Sequence, residues 1–127
     1  MISFEVHGQP VPQGSMKVIN GHVIHSQGSA LAAWRSQIAL TAKNAGAFPI
    51  NDPVELDMVF TMARPKTVSR PEPSVAPDLD KLVRGVLDAL TAVMYRDDGQ
   101  VTRLTAQKVY GERPGVWIQA WARGQKE

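Results

Sequence analysis

The 127-residue chain has no cysteine, which excludes disulfides and thiolate metal sites. No apolar run approaches the ~20 residues that a membrane span needs. The N-terminus, Met1-Ile2-Ser3-Phe4-Glu5, lacks the basic and apolar regions of a signal peptide. No membrane partner is therefore expected, and a cytoplasmic location is the default. There is no internal repeat and no low-complexity tract. The three histidines, His7, His22 and His25, match no metal motif, and polar strand and hairpin positions account for them. What remains is the length of one domain, residues 1–127, with 43% hydrophobic residues, enough for one modest core. A net charge of +2 decides little, but Arg64, Lys66 and Arg70 stand together, and the sequence pI is near 9.2.

Hydrophobic periodicity lays out the elements. Ile2, Phe4 and Val6 alternate with polar residues, as in a half-buried strand. Asn20-Gly21, with His22 between two apolar pairs, predicts a hairpin. Ser29 is a candidate N-cap for a helix to about Asn44, with Leu31, Trp34, Ile38 and Ala42 on one stripe and Gly46 as its stop. Val54 to Met62 alternates as a strand with one buried face. Residues 63–77 hold Pro65, Pro71, Pro73 and Pro77, a density that no regular element tolerates. A second helix carries Leu79, Leu82, Val83, Val86, Leu87 and Leu90 on one continuous face, with Asp80, Arg84 and Asp88 four apart along its flank. Val101–Tyr110 and Val116–Ala122 read as two final strands. Trp117 and Trp121 share one face of the last strand, which suggests core or an interface between copies. The order predicts an α+β fold, a small mixed sheet with two main helices packed on it.

Chemistry concentrates at Pro77-Asp78-Leu79-Asp80 and, one helix later, at Arg96-Asp97-Asp98. Two carboxylates at i and i+2 share a side if the backbone is extended. A third carboxylate folded back beside them would complete an all-oxygen pocket of the kind Mg²⁺ prefers. Basic surface to grip phosphates, beside carboxylates that hold ions, is what a metal-dependent nuclease needs.

Pro77-Asp78-Leu79-Asp80-Lys81-Leu82, Val86-Leu87-Asp88-Ala89-Leu90 and Asp97-Asp98-Gly99-Gln100-Val101 together resemble the RusA family of Holliday junction resolvases. That family has a D-[LI]-D-N-L motif, then a lysine, a helix and a D-D-x-Q-V segment. The ordered match spans residues 77–109. Lys81 stands where asparagine is usual, and Arg84 where lysine is usual. The resemblance implies a homodimeric endodeoxyribonuclease that resolves four-way DNA junctions by paired, symmetric phosphodiester hydrolysis. It implies Mg²⁺ as cofactor, with Mn²⁺ as a substitute, and no organic cofactor. Such an enzyme serves recombination, repair or phage DNA processing, in a bacterium or in a phage's host.

Residue by residue, the resemblance puts Asp78, Asp80 and Asp98 on the metal and in catalysis, with Arg84 beside the scissile phosphate. If the family lysine is an acid rather than an electrostatic clamp, Lys81 becomes the candidate instead. Asp97 either supports the ligands or shapes the turn beside Gly99. Asp88 either supports them or pairs with Arg84 on the helix surface. Lys17, Arg64, Lys66, Arg70 and Lys81 are the candidate DNA contacts. Two other readings compete: a non-catalytic branched-DNA-binding protein with a degenerate site, and a small α+β domain with a structural cation.

Overall fold

The computed structural model describes residues 1–14, 16–19, 22–25 and 28–124, with backbone only for 16–19 and 22–25. Its strands are β1 (Ile2–His7), β2 (Met16–Ile19), β3 (His22–His25), β4 (Val54–Met62), β5 (Val101–Tyr110) and β6 (Gly115–Ala122). Its helices are α1 (Gly28–Asn44) and α2 (Leu79–Leu90), with one turn of 3₁₀ helix at Asp98–Gln100. The α+β architecture is as the periodicity predicted.

Four strands form a mixed sheet in the order β1-β6-β4-β5. β4 pairs antiparallel with β6 and parallel with β5. A parallel partner needs a crossover, and the chain from β4 through α2 to β5 supplies it. The last two strands, adjacent in sequence, thus lie on opposite sides of β4. β2 and β3 pair separately, with Ile19 opposite His22. The hairpin turn expected at Asn20-Gly21 and the side chain of Lys17 lie outside the described residues.

Alternation fixes which face of the sheet is covered. Val54, Leu56, Met58, Phe60 and Met62 of β4 are all buried and join one core with Phe4, Val6, Val116 and Ile118. Trp34, Ile38 and Ala42 of α1 and Leu82, Val86 and Leu90 of α2 fill the same core, so both helices cover one face. Burying side chains of this size contributes about 1.5–3 kcal/mol each before entropy is counted. Ser29 is not the N-cap of α1, which begins at Gly28 and so takes Ser29 into its first turn. Gly46 ends that helix as expected, at φ 101°, a conformation that favours glycine.

The opposite face of the sheet carries Glu55, Asp57, Trp117 and Gln119. Trp121 also points there, yet it is only 2% exposed, and its Nε1 donates to Glu55 Oε2 at 2.6 Å. Of the two tryptophans expected in core or at an interface between copies, Trp121 is thus buried within its own chain and Trp117 is half-buried. No helix among the described residues is long and apolar enough to cross a membrane.

Candidate active site

Asp78 occupies the N-cap of α2 with an extended backbone, φ −69° and ψ 138°. Its carbonyl starts the helix by accepting from the Lys81 and Leu82 amides, each at 3.1 Å. Its side chain makes no capping hydrogen bond, so the carboxylate is not spent on the helix. Asp80 lies one step inside α2, in the first turn, where the helix dipole favours negative charge. The extended geometry assumed for Asp78-x-Asp80 therefore holds only at Asp78. Both carboxylates are exposed. Lys81 Nζ lies 2.8 Å from Asp80 Oδ2, and this hydrogen-bonded ion pair lowers the Asp80 pKa.

Arg84 is exposed one turn further on, and Asp88 is half-buried a turn beyond that. Asp80 pairs with Lys81 rather than Arg84, and no Arg84–Asp88 bridge forms. Of the three flank residues, Asp88 alone lines the cleft between α1 and α2, opposite Arg35 and Lys43.

The Asp97-Asp98-Gly99-Gln100 turn is stapled to the start of β4. Gln100 Oε1 accepts from the Arg96 and Asp97 amides at 2.8 and 3.0 Å. Its Nε2 donates to the carbonyls of Ile50 and Asp52 at 2.9 and 3.0 Å. The Asp97 carboxylate folds over Gly99, where an added Cβ would stand 2.7 Å from Asp97 Oδ2. Asp97 thus belongs to the turn, and Asp98 presents an exposed carboxylate. Below it, Tyr95 is buried and donates to the Leu87 carbonyl at 2.7 Å. Burial first, then the charge of Asp98, and those of Asp88 and Asp97, push the Tyr95 phenol well above its usual pKa.

These contacts separate the two halves of the acidic set. Asp98 sits where β5 begins, with Val101 opposite Val54 and the Tyr95 hydroxyl bonded near the far end of α2. Asp78 sits toward the other end, because Lys108, opposite Phe60 in the sheet, reaches the Pro77 carbonyl. The strand pair covers about 20 Å between those positions at ~3.3 Å per residue. Mg²⁺ holds its oxygens at about 2.1 Å, so a single ion cannot bridge that span. Among the described residues, no three acidic or histidine side chains are grouped to hold a metal ion. The expectation that Asp98 folds back beside Asp78 and Asp80 of its own chain fails for this reason. The donor set itself, exposed carboxylates not used for capping, suits a hard cation.

The proline-rich loop brings two of its three cations together. Arg64 lies over the Tyr110 ring, 4.9 Å from its centroid, and Arg70 Nε donates to the Tyr110 hydroxyl at 3.1 Å. Lys66 is exposed at the turn between them. Gln100, Lys108 and Tyr110 escaped the sequence reading. Only Gln100 carried a signal, its place in the D-D-x-Q-V pattern.

Residues 7–120 match the family model for endodeoxyribonuclease RusA. The chain belongs to the RusA family. It is also 33% identical over 132 aligned residues to an uncharacterised Bacillus subtilis (strain 168) protein, YqaN, covering 92% of this chain and 93% of that protein. The match takes in both acidic motifs and the arginine loop. Family membership supports a nuclease, a hydrolase acting on DNA.

Proposed function

We propose that this chain is a Mg²⁺-dependent endodeoxyribonuclease that cuts four-way DNA junctions as a homodimer. The observation that carries the reading is the RusA match laid over exposed carboxylates at Asp78, Asp80 and Asp98. Because one chain holds Asp98 too far from the other two, each site takes Asp78 and Asp80 from one copy and Asp98 from its partner. A two-fold axis then gives two equal sites, the number that symmetric resolution of a four-way junction requires. This replaces the tryptophan argument for dimerisation, since Trp121 is covered within its own chain.

When bound by these carboxylates, Mg²⁺ supplies an activated water and stabilisation of the leaving 3′ oxygen. The chain's own residues do the rest. Arg84, exposed one turn after Asp80, offers a bidentate fork to the scissile phosphate and remains charged throughout. Lys81 keeps the Asp80 carboxylate ionised through its ion pair and stands beside it as a second cation. Manganese, with the same preference for oxygen ligands, should substitute. The direct test is a labelled synthetic junction incubated with and without Mg²⁺. Paired cuts only with the metal are expected, whereas binding without cutting would favour the degenerate-site reading.

Phosphate neutralisation by Arg64, Lys66 and Arg70 makes binding steeply salt-dependent. Changing all three to alanine is expected to flatten the slope of log affinity against log salt by about 0.9 per lost contact. A fluorescence anisotropy series from low to moderate salt measures it. An unchanged slope removes this loop from the DNA-binding surface, and Lys17 and Lys81 become the principal candidates.

A further inference from the structure

Lys108 projects from β5 on the helix side of the sheet, and its ammonium donates to two carbonyls, Val75 O and Pro77 O, each at 2.8 Å. Both belong to the segment that delivers Asp78, and Pro77 is its immediate neighbour. These bonds span 33 and 31 residues of sequence, tying the end of a long irregular loop to the rigid edge of the sheet. Among the described residues, no other side chain bonds the Val75 or Pro77 carbonyl. The segment's prolines have no amide to donate, and the Asp78 side chain makes no cap bond.

We propose that Lys108 is a positioning residue for the Asp78 half of the metal site, fixing the backbone that aims this carboxylate. The inference rests on the reading of Asp78 as a metal ligand. The role is geometric, and its sign separates it from a charge effect. A lysine near a divalent cation repels it, so removing the charge alone would tighten Mg²⁺ binding. Losing the backbone clamp does the opposite, because a ligand that wanders by an ångström no longer matches the octahedral demands of Mg²⁺. Tyr110, two residues along the same strand face, does for Arg64 and Arg70 what Lys108 does for Asp78. One strand edge therefore sets both ends of the loop.

The test compares Lys108→Met, which keeps length without charge, and Lys108→Arg, which keeps two donors, with the unaltered chain. The first readout needs neither metal nor DNA. Amide exchange at Lys81 and Leu82, both bonded to the Asp78 carbonyl, should quicken in Lys108→Met by roughly tenfold or more, as loss of bonds from a charged donor implies. The second is the Mg²⁺ concentration for half-maximal junction cleavage. It should rise by about 10–100-fold in Lys108→Met, the usual effect of removing a ligand's support. Junction affinity in metal-free buffer should be unchanged, and Lys108→Arg should recover most of both effects. Unchanged exchange, a lower Mg²⁺ requirement, or a loss of junction affinity in place of the metal effect would each overturn the proposal. If the unaltered chain cuts nothing with Mg²⁺, the nuclease reading fails, and the exchange comparison alone decides whether Lys108 holds the Asp78 segment.

Discussion

Asp78→Asn, Asp80→Asn and Asp98→Asn are each expected to abolish junction cleavage while leaving junction binding intact or tighter. Asparagine keeps the shape of aspartate and removes the charge that makes the position attractive to Mg²⁺. The loss in rate should be at least about 10²–10³-fold, the range for removing one stabiliser of transition-state charge. Affinity should not fall, since each change also removes a negative charge that repels DNA phosphates. All three side chains are exposed, so stability should move by no more than about 0.5 kcal/mol. Asp97→Asn should be milder, because its carboxylate is folded over Gly99. Parallel gel-shift and cleavage assays, with a circular dichroism melt for every variant, separate these effects. Full activity in Asp80→Asn would remove the metal assignment, and loss of binding in all three would recast the cluster as structural.

The parts of the fold written in short-range periodicity were legible. Val54, Leu56, Met58, Phe60 and Met62 announce a strand with one covered face because period-two alternation has one structural meaning over nine residues. The stripes on α1 and α2 were equally plain, since burial selects every third or fourth residue. What the sequence hid was long-range. β5 and β6 follow one another, yet β4 lies between them, and no local signal records a neighbour from elsewhere in the chain. For Trp117 and Trp121 the sequence left core and interface between copies both open, and Trp121 is buried. Its cover includes a bond to Glu55, 66 residues away.

The acidic site shows the same division. Motif spacing identified which carboxylates to examine, but left Asp97 open between supporting the ligands and shaping its turn. It did not fix their distance apart, because the helix between Asp80 and Asp98 carries the chain away instead of folding it back. Lys108 and Tyr110 left no trace in the pattern, since each acts on partners some 30 to 46 residues distant. Lys108 would pass for a solvated lysine on an edge strand until its two carbonyl partners are seen.

A site shared between two copies has a consequence that a site within one chain lacks. In a dimer of one Asp80→Asn chain and one Asp98→Asn chain, one site receives both defects and the other receives neither. Mixed dimers make up about half of those formed by random pairing. The measurement is cleavage of a labelled four-way junction, with Mg²⁺, by the two variants produced together, beside each variant alone. Neither alone should cut, and the mixture should recover nicking of a single strand per junction, at about half the unaltered rate per mixed dimer. If the mixture is as inactive as its components although light scattering and a tag pull-down show mixed dimers present, each site is built within one chain, and the shared arrangement of Asp78, Asp80 and Asp98 is wrong.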